Sequence, residues 1–211
     1  MNKLTVISVV LICMAAAGPI WGQVFEDVNK EEVEWQGFLV SGWFSGETLL
    51  STSNGINDIQ VKTDDGWLIG VRAGGENEYL GAEVTVAGVF ADMHVKSDLF
   101  TDPPSGSDAR TFLLGINGLL YPTGNEILEG RIRPFMTVGP GVALIDTDYS
   151  KVSNETVFDM NVGLGVKFLL GDSGNTMLRA DWRWYYLVGS MSGLDNKLYH
   201  QELSIGLGIR F

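Results

Sequence analysis

The chain has 211 residues, with 14 Lys and Arg against 26 Asp and Glu, a formal net charge of −12 and 45% hydrophobic residues. That length and apolar content fit one ordinary domain and exclude a disordered chain. The acidity excludes nucleic acid as a partner, because a phosphate-binding surface needs an excess of Lys and Arg.

Residues 1–22 carry Lys3, then an uncharged run from Leu4 to Ala17, then small residues and Pro19. This pattern predicts a secretory signal peptide, cleaved near Gly22 with Ala17 as the alternative, and it is too short and wrongly flanked for a spanning helix. The single cysteine, Cys13, lies inside it, and the preceding Ile12 is a poor match to a lipoprotein processing site. The exported chain is then expected to lack cysteine, which excludes disulfides and thiolate metal sites. Residues 23–32 form a short acidic segment, and 33–211 are expected to be one β domain.

Within that domain every structured stretch alternates with a period of two, the signature of a strand with unlike faces. The first, about Val33 to Ser45, is apolar on both faces, and its parity stays open. Trp67, Ile69, Val71 and Ala73 oppose Gly70, Arg72 and Gly74. Leu80, Ala82, Val84, Val86 and Phe90 oppose Gly81, Glu83, Thr85 and Ala87. Phe112, Leu114, Ile116 and Leu120 oppose Thr111, Gly115 and Asn117. Met136, Val138, Pro140, Val142 and Leu144 oppose Thr137, Gly139, Gly141 and Ala143. Phe158, Met160, Val162, Leu164, Val166 and Phe168 oppose Asp159, Asn161, Gly163, Gly165 and Lys167. Leu178, Ala180, Trp182, Trp184 and Tyr186 oppose Arg179, Asp181, Arg183 and Tyr185. In the last strand, Leu203, Ile205, Leu207, Ile209 and Phe211 oppose Glu202, Ser204, Gly206, Gly208 and Arg210.

Eight strands result, and their connections alternate strictly between short and long. Gly75 to Glu78, Pro122 to Gly130 and Leu170 to Asn175 are short; about Gly46 to Asp65, Met93 to Asp108, Asp146 to Asn154 and Gly189 to Lys197 are long and polar. An up-and-down antiparallel barrel with its short turns at one end produces this rhythm and leaves no sheet edge unpaired.

Which face of that barrel is greasy decides where it resides. The polar faces carry Arg72, Glu83, Asp159, Lys167, Arg179, Asp181, Arg183, Glu202 and Arg210, nearly balanced in sign, as an internally paired lumen requires. Arg72 and Glu83 fall about one diagonal apart on consecutive strands, and Arg183 and Glu202 fall nearly opposite one another. Aromatic residues gather at strand ends: Trp43, Trp67, Phe90, Phe112, Phe158, Trp184 and Tyr199 at the long-loop end, and Trp35, Tyr79, Tyr121, Phe135, Phe168 and Phe211 at the short-turn end. Two girdles around an aliphatic band fit a bilayer, where amphipathic rings prefer the headgroup level. The expected fold is therefore all-β, an eight-stranded up-and-down antiparallel transmembrane β-barrel, with Phe211 in the short-turn girdle.

The terminal "LSIGLGIRF", the "RPFMTVGPGVALI" stretch from Arg133 and "YLGAEVTVAGVF" with Glu83 resemble the small eight-stranded outer-membrane barrels of the outer membrane protein A and opacity-protein type. The resemblance spans the expected mature chain and implies an outer-membrane location, contact with membrane lipid and lipopolysaccharide, and reading of the C-terminal aromatic, here Phe211, by the barrel-assembly machinery. A periplasmic peptidoglycan-binding domain, present in outer membrane protein A, has no counterpart in the sequence, so peptidoglycan anchoring is not implied.

The remaining motifs are weak. Gly139/Gly141, Gly163/Gly165 and Gly206/Gly208 lie within strands with no helix following, so they fail the context of a phosphate loop, and a steric role in a crowded lumen explains them better. Some eight-stranded barrels are lipid A deacylases that use a His and a Ser on the lipid face; His94 falls in an expected loop, His200 at the start of the last strand, and Ser204 does not match such a site. Both histidines are expected to be solvated. Outside the lumen and the leader, 22 of the 26 acidic residues face eight basic ones, which fits solubility. Divalent cations bridging loop carboxylates to lipopolysaccharide are a sharper reading, but no compact calcium loop supports it. No catalytic residue, cofactor or metal site is expected. The function expected first is a structural or surface-interaction barrel whose lumen is largely plugged by paired charges. A narrow porin for ions or very small solutes is the alternative, a lipid-modifying enzyme stands behind both, and any extracellular ligand is unidentified.

Overall fold

A computed structural model describes residues 33–46, 48–53, 58–97, 107–124, 127–128, 130–171, 174–188 and 198–211. The expected leader and the acidic segment at 23–32 lie outside the described residues. Ten strands follow one another: β1 (Glu34–Phe44), β2 (Thr48–Ser53), β3 (Asp58–Thr63), β4 (Gly66–Glu76), β5 (Leu80–Ser97), β6 (Ser107–Leu120), β7 (Ile132–Thr147), β8 (Glu155–Leu170), β9 (Thr176–Val188) and β10 (Leu198–Arg210). Eight of them close a ring. β1 pairs with both β4 and β10, the series β10, β9, β8, β7, β6 runs round the wall, and β5 joins β4 to β6, every pair antiparallel.

The sequence reading put a loop where β2 and β3 stand. These two strands form a hairpin, and β3 continues the wall by pairing with the far end of β5, from Ile59 opposite Ser97 to Thr63 opposite Met93. β5 and β6 likewise stay paired as far as Met93 and Ser107. His94 therefore belongs to a strand, opposite Lys62, and not to the loop expected for it. A strand that reaches past a bilayer pairs through its backbone and needs no long apolar face, and the alternation in β3 is brief, Ile59 and Val61 against Gln60 and Lys62.

The expected parity holds for the described side chains apart from Ala82, which was placed on the outer face and is buried. Ile205 is 71% exposed and Leu207 58% on the outer face of β10, while Glu202, nearer the start of the strand, is fully buried. The open question of β1 is answered by its partners: Gln36, Phe38, Val40 and Phe44 are buried inward, and Trp35, Leu39 and Trp43 point outward. β1 looked apolar on both faces because its inner face carries two phenylalanines. Of the aromatic girdles, Trp67, Phe90, Phe158, Tyr199, Trp35, Tyr79, Phe168 and Phe211 are exposed on the outside, but Tyr121 and Phe135 are buried. Both sit at strand ends near the short turns, where position alone suggested a girdle; Phe135 has the parity of Thr137 and faces inward with it.

Two glycines show how tight the interior is. A Cβ on Gly208 would strike the Phe38 ring, and one on Gly165 would strike the Phe135 ring. An eight-stranded wall leaves an interior just wide enough for side chains to fill, so each inward ring requires a missing side chain across from it.

Leu164 lies on the outer face, between Met136 and Trp182 on the neighbouring strands. Leu164→Arg is expected to cost about 2 to 4 kcal/mol, as charge near a bilayer midplane does in barrels, while Leu164→Ile stays near neutral. Urea unfolding in lipid vesicles measures the difference, and equal stability of the two variants would remove the lipid-facing assignment.

Candidate functional site

The interior is built in layers, and the lowest lies against the short turns. There the Glu76 carboxylate, at the end of β4, accepts hydrogen bonds from Gln36 (2.5 Å), Arg133 (2.8 Å), Tyr121 and Lys167. Lys167 also donates to the Tyr121 hydroxyl at 2.6 Å. Arg133 spends its other nitrogen on the carbonyls of Asn77 and Glu78, at 2.8 and 3.1 Å, which ties the turn between β4 and β5 to β7. Outside this cluster, at the rim, Arg210 pairs with Glu34 at 2.7 Å, and Glu34 is 3.9 Å from Arg133.

Phe38 and Phe135 form the next layer, and cations approach them from above and below. Lys167 Nζ stands 5.5 Å from each ring centre, while the Arg179 guanidinium stands 5.2 Å from Phe38 and 4.6 Å from Phe135. A desolvated cation over a ring face gains from the ring quadrupole. The rings thus separate two charge clusters while still stabilising a cation of each.

The central layer joins three arginines to three carboxylates. Asp181 receives Arg72 at 2.8 Å, Arg179 at 2.8 and 2.9 Å, and Arg183 at 3.1 Å. Glu83 receives Arg183 at 2.9 Å and both terminal nitrogens of Arg179. Glu202 receives Arg72 at 2.5 Å, the Tyr185 hydroxyl at 2.6 Å and the Ser204 hydroxyl. These residues come from β4, β5, β9 and β10, so the cluster ties opposite sides of the ring together. Buried charges persist only when paired and hydrogen-bonded, and the forked arginines supply that at every carboxylate.

Toward the long loops the interior turns apolar. Phe44, Leu68, Ala87, Val89, Leu113, Ala143, Ile145, Val157 and Tyr185 belong to one buried cluster. The His200 ring stacks on Phe44 with centres 5.1 Å apart, and its Nδ1 lies 2.9 Å from the Ser45 carbonyl. His200 is therefore a buried interior residue, contrary to the solvated one expected.

Of the nine charges assigned to the lumen by parity, Arg72, Glu83, Arg179, Asp181, Arg183 and Glu202 meet in the central layer and Lys167 in the lower one. Asp159 is buried on the inner face of β8 but joins neither cluster, and Arg210 sits at the rim. Arg72 and Glu83 are one diagonal apart, as expected from Gly74 opposite Glu83, yet only 4.0 Å separates them and each has closer partners. Arg183 and Glu202 are directly opposite in register and bind other groups. Sequence reasoning missed Glu76, Arg133 and the apolar inner layer, all of which share the parity of residues it placed inside.

The comparisons agree with this architecture. A family model described as outer membrane protein beta-barrel domain matches residues 8–211. Among solved structures, the neisserial surface protein A aligns with a TM-score of 0.61 at 16% identity, over 86% of this chain and 100% of that one. The outer membrane protein OprG from Pseudomonas aeruginosa aligns with a TM-score of 0.53 at 15% identity, over 85% of this chain and 94% of that one. No curated protein sequence matches the chain.

Removing one partner of a buried pair leaves the other uncompensated, which costs about 3 to 5 kcal/mol. Glu83→Gln is expected to fall in that range by urea unfolding. Double-mutant cycles should give a coupling above about 1 kcal/mol between Glu83 and Arg179 and a smaller one between Glu83 and Arg72. Additive effects in both cycles would mean that water screens the cluster.

Proposed function

The chain belongs to the outer membrane protein beta-barrel family and resides in the outer membrane, and from that premise we propose a structural or surface-interaction barrel whose lumen is plugged by its own side chains. The observation that carries this reading is the full burial of Arg72, Lys167, Arg183 and Glu202, ion-paired or hydrogen-bonded across the ring, beneath an apolar layer. Arginines that reach from one wall to another occupy the path a solute would take. The same reading makes it a non-enzyme. His200 and Ser204 both point inward, where their polar atoms bind Ser45 and Glu202, and not to the lipid face. Membrane lipid and lipopolysaccharide are its proposed surroundings, and the exposed Phe211, whose amide binds the Trp35 carbonyl at 2.9 Å, is the proposed signal to the assembly machinery.

A narrow porin is the second reading. It is favoured by buried side-chain oxygens of Asn117, Thr137, Asp159 and Asn161 that have no hydrogen-bond partner among the described residues, because such oxygens are normally satisfied by water.

Planar-bilayer recordings of the refolded protein are expected to show little or no steady conductance; a stable open channel would replace the plug with the porin. A surface role also requires the long loops to lie outside the cell. Ser53→Cys should react with an impermeant thiol reagent on intact cells and Pro122→Cys only after permeabilisation, and the reverse pattern would invert the barrel.

A further inference from the structure

The inner wall of β6, β7 and β8 differs from the rest of the interior. In register, Gly115 faces Gly141 and Gly141 faces Asp159, while Gly139 faces Asn161. Pro140 separates the two glycines of β7. The wall is thus floored by three glycines, and three polar side chains lie over them. A Cβ on Gly141 would fall 2.6 Å from both Asp159 carboxylate oxygens, one on Gly139 would fall 2.6 Å from Asn117 Oδ1, and one on Gly115 would lie 3.8 and 3.9 Å from the amide nitrogens of Asn117 and Asn161.

The donors of this group are used and its acceptors are not. Asn161 donates to the Gly139 carbonyl at 3.1 Å and Asn117 to the Thr85 hydroxyl at 3.3 Å. Oδ1 of Asn117, Oδ1 of Asn161 and Oδ1 of Asp159 are all buried without a hydrogen-bond partner among the described residues, and these three residues are no more than 3% exposed. Among the described residues no ion pair reaches Asp159, and the arginines of β9 bind Glu83 and Asp181. An ionised carboxylate in that position requires a cation that the described residues do not supply.

We infer that this recess binds a single monovalent metal cation of the sodium type, held by Asp159 Oδ1 together with the Oδ1 atoms of Asn117 and Asn161. Oxygen donors select a hard cation. One carboxylate matches one positive charge, whereas calcium sites gather several carboxylates, and no group of three or more His, Cys, Asp or Glu able to hold a metal occurs among the described residues. This inference does not rest on whether the lumen conducts, because a bound ion fits a closed barrel and a water-filled one alike.

The test uses the refolded full chain in detergent micelles. Sodium chloride replaces choline chloride at constant ionic strength, and urea unfolding is followed at each step. Ligand binding to the folded state alone makes the folded-to-unfolded ratio rise about tenfold for each tenfold increase in sodium above half-saturation. Asp159→Asn is expected to abolish that dependence. A wild-type midpoint identical in sodium and choline throughout would overturn the site, as would an infrared band of a protonated carboxylic acid in sodium that Asp159→Asn removes. Should the variant fail to fold, crystals of the wild type grown with thallium(I) decide the matter. An anomalous peak among Asp159, Asn117 and Asn161 supports the site, and its absence refutes it.

Discussion

Every other feature of this molecule depends on the need to pair backbone N–H and C=O groups where no water can reach them. A bilayer core leaves two solutions, a helix or a closed sheet, and the pairing of β1 with β10 from Gln36 opposite Arg210 to Phe44 opposite Glu202 closes the sheet. Here eight strands close the ring, the strand number fixes the interior width, and alternation sends half of each strand's side chains into that space. The outer half needs only to be apolar. The inner half must be satisfied within a fixed volume, and this requirement governs the chemistry of the chain.

Volume is met by contrast in side-chain size. Arg183 from β9 reaches Glu83 on β5, and it passes where Gly163 has no side chain: a Cβ there would lie 2.8 Å from the arginine's own Cγ. Phe38 and Phe135 likewise lie against Gly208 and Gly165. Polarity is met by stacking unlike layers. The phenylalanines lie below the three arginines and three carboxylates and the aliphatic cluster lies above them, and a low local dielectric strengthens each pairing. Burial makes an unmatched charge costly, which is why Asp159 stands out: every other buried carboxylate of the interior named above has an ion-pair partner.

The fold was readable because lipid demands an apolar outer face on every spanning strand. That demand left period-two runs in β4 to β10 and set their parity. β2 and β3 escaped because each has only six residues and the one alternation they carry, Ile59 and Val61 against Gln60 and Lys62, is brief. The interior was readable only as membership. Parity placed Arg72, Glu83, Lys167, Arg179, Asp181, Arg183 and Glu202 inside, but pairing depends on side-chain reach across the ring, which spacing along a strand does not encode. Long arginine side chains cross to strands far away in sequence, so Arg72 bypasses its diagonal neighbour Glu83 for Asp181 and Glu202. Glu76 shares the parity of Arg72 but falls in the Gly75 to Glu78 connection as read from the sequence, and Arg133 shares the parity of Thr137 but precedes the alternating run read from Met136.

The inner face also explains why a greasy pattern alone misleads at strand ends. Leu68, Val89, Leu113, Ile145 and Val157 alternate out of phase with the lipid-facing set, so near the long loops both faces of these strands are apolar. In a soluble sheet that would mark burial between two layers. Here one side meets lipid and the other meets the opposite wall of the same barrel, across a span short enough for Phe44 to stack on His200 and to lie 5.6 Å from Tyr185. An apolar inner layer resists wetting, which supports the proposed plug. Beneath it, beside the charge network, the buried oxygens of Asn117, Thr137, Asp159 and Asn161 on β6, β7 and β8 have no partner among the described residues.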